Sequence, residues 1–196
     1  MKLNRKIFSL AFFLTVATAA QGQTWKIDSA HSVAHFKVRH MLVTWTHGTI
    51  SGIQGTVTGD EKDITKSKVS ATLNPATINT NDAKRDEHLK SPDFLNVTKY
   101  PTMTFESKSV TGSPGNLKIT GALTLNGVTK DVVLDVEGPT AAVKSPFGDS
   151  RRGLSAKTKI NRKDFNIVWN KAMDGGGVVV GDDVEITIDL ELTDKV

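Results

Sequence analysis

The sequence predicts an all-β fold, an antiparallel sandwich or closed barrel of eight or so strands. Three observations carry that reading. Apolar and polar residues alternate with a period of two along segment after segment, glycine-, asparagine- and proline-rich turns separate those segments, and a single stretch, "NDAKRDEHLK" at 81–90, breaks the alternation. Each strand then has one apolar and one polar face, which implies one dry interior and one wet exterior. Alternation alone does not choose between sandwich and barrel.

In chain order, "VAHFKVRH" sets Ala34, Phe36 and Val38 against His35, Lys37 and Arg39. "THGTISGIQGTVTGD" is less regular. Ile50, Ile53 and Val57 cannot share a face under strict alternation, and glycines at 48, 52 and 55 predict a bulge or sharp bend. "KVSATLN" aligns Val69, Ala71 and Leu73, and "TMTFES" aligns Met103 and Phe105. "LKITGALTL" brings Leu117, Ile119, Leu123 and Leu125 to one side, and Asn126-Gly127 then signals a tight hairpin into "DVVLDVE", with Val132, Leu134 and Val136 inward. "GLSAKTKIN" aligns Leu154, Ala156, Thr158 and Ile160. In "DVEITIDLEL", Val184, Ile186, Ile188, Leu190 and Leu192 oppose Glu185, Thr187, Asp189 and Glu191, so a one-residue slip would bury three acids and a threonine. Two long connections, roughly 138–150 and 162–182, are expected at the mouth of the fold.

The amino terminus follows a different logic. Lys2, Arg5 and Lys6 precede the apolar run Ile7–Ala17, and small residues continue to Gly22. This is the pattern of a secretory signal peptide, taken here as residues 1–22, with cleavage after Ala19 or Ala20 also compatible. It leaves one domain, 23–196, expected in the periplasm or outside the cell. The apolar run falls short of the ~20 residues of a membrane span, and no later stretch approaches that length. The whole chain has 25 Lys and Arg against 21 Asp and Glu, but three of the basic residues lie in the leader, so the remainder is close to neutral. No basic run with interleaved aromatics remains, which argues against nucleic acid as a partner. Lys66, Lys68, Arg151 and Arg152 are expected on the solvated surface. Zero cysteines exclude disulfides, thiolate nucleophiles and Cys-ligated metals.

Residues 81–90 read as a short helix with Asn81 as N-cap, halted at Ser91-Pro92. Arg85, His88 and Leu89 share a face there. Local charge pairing on an exposed helix competes with a placement of Arg85 and His88 at a cavity entrance, and a lone histidine amid charges gives little support to acid–base catalysis. His31, His35, His40 and His47 lack the His-x-His spacing that strand chelation favours, and no metal or cofactor is assigned. No Gly-x-Ser-x-Gly elbow and no phosphate loop is present. Asp182 and Asp183 are read as turn formers. Phe94 follows the helix, and Phe165, Ile167 and Trp169 alternate in "DFNIVW".

Five blocks in order, "WKIDSAHSVAHFKVRH" at 25–40, "RDEHLKSPDFLNVTKYPTMTFES" at 85–107, "ITGALTLNGVTKDVVL" at 119–134, "INRKDFNI" at 160–167 and "VGDDVEITIDLEL" at 180–192, resemble the successive motifs of the YceI-like family of polyisoprenoid-binding proteins. The resemblance implies an antiparallel eight-stranded lipocalin-like barrel with one or two short helices near its opening. It also implies a lumen for an isoprenoid or similar fatty amphiphile, and export. Two departures stand out: Leu95 replaces a second aromatic, and Asn166 replaces a frequent glycine. Small inward residues, Ala34, Ala71, Gly121 and Ala156, leave room inside such a barrel.

On this reading the ligand contacts are Phe36, Leu73, Phe105, Leu123, Leu125, Leu134 and Ile186 in the lumen. Leu89, Phe94, Phe165 and Trp169 stand near the opening, and Arg85 and His88 meet a polar or phosphorylated head group. The expected role is binding, for transport, storage or sequestration, and not catalysis. The alternatives are an enzyme acting on a lipid or amide in the same cavity, or a packed β-domain serving as an interaction module. A homodimer is compatible with the sequence.

Overall fold

The structure, a computed structural model, describes residues 22–60 and 63–195. The export segment predicted at 1–22 lies outside the described residues except for Gly22.

Among the described residues, eleven strands form one antiparallel sheet: β1 (Gln23–Ile27), β2 (Val33–His40), β3 (Thr44–Ser51), β4 (Gln54–Gly59), β5 (Lys68–Leu73), β6 (Met103–Ser113), β7 (Asn116–Leu125), β8 (Val128–Glu137), β9 (Val143–Lys144), β10 (Ser150–Asn161) and β11 (Val180–Thr193). The sheet closes because β11 pairs with β10 on one edge and with both β1 and β2 on the other. β1 and β2 run end to end along β11, Lys26 opposite Thr193 and Val38 opposite Val184. β3 and β4 run end to end beside them. The chain therefore builds a closed eight-stranded antiparallel barrel, with β9 a two-residue addition to the edge of β10.

The bend expected near the glycines of the 46–60 region is where β3 passes into β4. Gly52 has φ 73°, and Ile53, at the corner, is 1% exposed. Asn126 and Gly127, at φ 48° and 75°, make the predicted hairpin turn between β7 and β8. β11 has the predicted register, with Ala156 opposite Ile188 and Thr158 opposite Ile186. β1 was not among the predicted strands. Its alternation of buried Trp25 and Ile27 with Thr24 and Lys26 spans only five residues, and its stability comes from β4 and β11.

At one end the wall splays. β5 stops at Leu73, and the free edge of β3 is bridged only at Thr49–Asn79, so helix α1 (Ala83–Lys90) and the turns after it fill the gap. On the other side β8 meets β10 only from Asp135 to Glu137, and residues 162–169 cover the rest. The N-cap of α1 is Asp82, whose carboxylate accepts from the Arg85 N–H at 3.0 Å, and not Asn81, which has φ 60°. The 138–150 connection corrects expectation in a second way: it links β8 to β10 at the opposite end of the barrel, away from α1.

Candidate functional site

Inward side chains meet in two clusters. One, around Trp25, Ile27, Val110, Leu117, Val136 and Leu192, fills the end away from α1; the other, around Ile50, Ile78, Phe94, Met103, Phe165 and Ile167, lies under the helix. Between them is a cavity of about 250 Å³. Its wall includes Phe36, Leu73, Leu89, Phe94, Phe105, Leu123, Leu125, Leu134 and Ile186, together with Leu95, Ala34, Ala71 and Ala156. A smaller hollow of about 80 Å³ continues towards Trp25, over whose ring the Arg152 guanidinium stacks at 4.8 Å.

The hollow exists because two phenylalanine rings lie along the wall instead of across it. Phe36 sits opposite Gly48, and a Cβ on Gly48 would come within 2.3 Å of its Cζ. The Phe105 ring likewise lies over Gly121, with Cζ 2.4 Å from a Cβ there. Only glycine lets a ring approach the neighbouring backbone so closely. Gly121 thus makes room by seating an aromatic, whereas Ala34, Ala71 and Ala156 make it by being small.

Four predicted contact residues are not on the cavity wall. Arg85 is directed at the start of its own helix: Nε donates to Thr80 Oγ1 at 2.8 Å and Nη2 to the Thr80 carbonyl at 2.9 Å. Asp86 accepts from the Thr80 N–H at 2.8 Å, so Thr80, 6% exposed, is gripped from both sides. His88 and Trp169 form an outer layer, and Phe165 belongs to the buried cluster under it. His88 Nε2 contacts Asp93 Oδ2 at 2.8 Å, and its ring stands edge-on to Phe94 and to Trp169, with centroids 5.0 Å away in each case. Phe165 is 1% exposed in the cluster beneath, and its carbonyl accepts from Asn126 Nδ2 at 3.1 Å. The stretch "KRDEHLKSPDF" is therefore half of a lid, and 162–179 is the other half.

Sequence reasoning missed Arg162. It is 3% exposed, lines the cavity, and donates to the carbonyls of Gly181 (2.9 Å), Ile167 (2.6 Å) and Trp169 (2.8 Å). Burial pulls its pKa below the ordinary value while the Asp182 carboxylate, 3.4 Å away, opposes that shift. A guanidinium stays charged through such a shift and has five donors to spend, so one side chain folds the 162–181 connection around itself. In "INRKDFNI" it looks like one surface cation among several. Asp182, read as a turn former, lies within β11 and pairs with Lys163 at 2.8 Å as well. Asn166 caps the Arg162–Phe165 turn at φ 58°, the conformation that glycine would supply there.

Arg151 is not solvated surface either. It contacts Asp149 at 2.6 Å, and also Asp28 and Glu191, at the end away from the lid. Asp28, His31 and Glu191 present ligand atoms within 4.8 Å of one another, but the guanidinium already supplies the cation between the two carboxylates. Apart from Arg162, the polar side chain on the lumen wall is Thr158; His35 borders the cavity, but its side chain is on the outer face, 3.9 Å from Asp189.

The family model for the YceI-like domain matches residues 25–192. The chain belongs to the YceI-like family. Protein YceI of Salmonella newport is 43% identical over 169 residues, covering 85% of this chain and 88% of that one. Among solved structures, the YCEI protein of Campylobacter jejuni superposes with a TM-score of 0.67 at 28% identity, over 96% of this chain and 100% of that one. A polyisoprenoid binding domain from Saccharophagus degradans, implicated in plant cell wall breakdown, superposes with a TM-score of 0.60 at 13% identity, over 88% and 98% of the two chains; it shares the fold. This YceI-like barrel thus carries its apolar hollow within the matched segment. No helix among the described residues is long and apolar enough to cross a membrane.

Proposed function

We propose that the protein is an exported carrier that holds the tail of an isoprenoid or similar long-chain amphiphile in its lumen. The observation that carries this reading is a closed barrel whose interior is hollow and walled almost entirely by aliphatic and phenyl side chains. The Saccharophagus domain, described as polyisoprenoid binding, supports the ligand class. Removing about 400 Å² of prenyl surface from water is worth on the order of 10 kcal/mol before association and ordering costs. Binding at that strength needs no reacting group. The hollow lies just under the roughly 300–1,000 Å³ of sites for drug-sized ligands, so a long tail has to displace wall side chains or part the lid.

In this reading the contacts to the tail come from Phe36, Leu73, Leu89, Phe94, Phe105, Leu123, Leu125, Leu134 and Ile186, joined by Leu95. Arg85, His88, Phe165 and Trp169 act on the lid and not on a head group. Export rests on the leader at 1–22, removed after Gly22.

Native mass spectrometry of the protein from its own host, followed by organic extraction, tests both parts. A prenyl or acyl amphiphile released in stoichiometric amount, from a chain beginning near residue 23, is expected. An empty chain that also fails to take up an added prenyl alcohol removes the ligand assignment, and an intact Met1 removes export.

A further inference from the structure

The β2–β3 hairpin carries side chains that neither lumen nor lid uses. Met41, Leu42 and Val43 at its tip are 42%, 62% and 77% exposed, and Met41 and Leu42 both have positive φ, 52° and 62°. At the β7–β8 turn the same backbone region is occupied by Asn126 and Gly127, which tolerate it. Here two long apolar residues hold it without being buried. Turn formation does not account for them, since Asn-Gly would make the bend with less strain and no exposed apolar surface.

The surroundings of the tip are basic and aromatic. Lys37 Nζ and the Arg39 guanidinium lie over the Trp45 ring, 4.6 and 4.1 Å from its centroid. His40 ends β2, and Lys171 is exposed on the neighbouring connection. Of the acids beside the hairpin, Glu185 pairs with Lys37 at 2.9 Å, and Asp182 and Asp183, on the adjoining stretch of β11, pair with Lys163 and Lys159 at 2.8 and 3.2 Å. The tip stands at the lid end of the barrel: the Met41 N–H donates to the Val179 carbonyl at 2.8 Å, and Val168, 64% exposed, belongs to the same connection.

We propose that this hairpin docks the lid end of the barrel on an anionic lipid bilayer, with Met41, Leu42 and Val43 entering the interface and Trp45, Lys37 and Arg39 at the headgroups. Apolar side chains ringed by an indole and cations are the composition of interfacial anchors. A narrow hairpin tip offers far less than the ~800 Å² per partner of a stable protein interface, whereas a bilayer accepts a few inserted side chains. Each basic residue near an anionic surface strengthens partitioning about fivefold, and salt weakens it. The docking surface is separate from the lumen wall, so docking does not depend on which amphiphile the barrel carries.

The chain has no cysteine, so Val43→Cys gives a single site for an environment-sensitive fluorophore, and Ser113→Cys, at the opposite end, gives a control. The full-length chain is mixed with phosphatidylcholine vesicles with or without phosphatidylglycerol. The label at 43 is expected to shift to the blue on the anionic vesicles only and to lose the shift in high salt, while the label at 113 stays unchanged. Arg39→Gln should require about fivefold more lipid for the same shift. Met41→Asn with Leu42→Gly, in the Val43→Cys background, should abolish the shift while thermal stability is kept or raised. Its lipid content by native mass spectrometry is read separately, so loss of docking and loss of cargo remain distinct. The proposal is overturned by a label at 43 that stays in water on vesicles that sediment the protein, which would leave the Ile7–Ala17 run as the anchor. An equal shift on neutral vesicles, or a shift that appears with protein concentration alone as a second copy covers the tip, overturns it too.

Discussion

The imidazole of His88 stands edge-on to the indole of Trp169, with ring centroids 5.0 Å apart and planes at 86°. His88 lies on α1 and Trp169 in the connection that precedes β11, so this contact fastens together the two segments that cover the splayed end of the barrel. Phe94, 5.2 Å from Trp169 and on the cavity wall, carries the contact inward.

If this fastening controls entry, loosening it speeds exchange. Trp169→Ala removes two ring contacts worth about 0.5–1.5 kcal/mol each, and release of a fluorescent prenyl probe is expected to accelerate by roughly tenfold. His88→Ala should give part of that effect, and the double variant no more than Trp169→Ala alone. Unchanged release rates would mean that ligands leave by another route.

Gly48 and Gly121 should control lumen capacity. Gly48→Ala forces the Phe36 ring off the wall, and Gly121→Ala does the same to Phe105 while also pressing on the Glu106 carbonyl, 2.7 Å from the new Cβ. Both variants are expected to fold, at a cost of about 1–3 kcal/mol, and to retain less lipid per chain by quantitative extraction. Full retention would show that the rings do not limit the hollow.

Arg162→Met keeps the length of the side chain and removes its donors. The carbonyls of Ile167, Trp169 and Gly181 then lose their partner, which should lower stability by about 2–4 kcal/mol. Amide exchange should rise across 162–181 and far less in β6 and β7. Arg162→Lys is expected to rescue only part of this, because an ammonium cannot reach all of the carbonyls in one plane. Exchange raised uniformly over the barrel would refute a local role.

Acid sensitivity should come from the end away from the lid. Hydrogen bonds from the Ser145 and Thr193 hydroxyls hold the Asp149 carboxyl well below the usual carboxylate range, with burial opposing them and Arg151 reinforcing them. The folded pKa lies below the unfolded value of about 3.9, so the unfolded chain takes up the proton first as pH falls. The stabilisation is complete above about pH 5 and is lost as pH drops through 4 towards the folded value. Denaturant midpoints for Asp149→Asn should be lower than those of the parent at neutral pH and fall less steeply in acid. Parallel curves for the two proteins would contradict this assignment.

Much of this architecture is fixed by local pattern. Period-two alternation specifies which face of β2, β7, β8, β10 and β11 turns inward, since any slip of register would bury charge, and Asn126-Gly127 specifies a turn because few other pairs accept its backbone angles. The absence of period two in 81–90 marks helix α1, and the lumen residues from Phe36 to Ile186 follow from the same faces. What local pattern could not determine is how rings and donors are used once the barrel closes. That Phe36 lies flat depends on Gly48 across the strand pair, and that Arg162 turns inward depends on carbonyls supplied up to nineteen positions away. Arg85 and His88 share a helix face, yet one grips Thr80 and the other meets Trp169, because their partners arrive from segments that only folding brings near. Side-chain periodicity is a property of neighbours along the chain; a hollow and its lid are properties of contacts between distant ones.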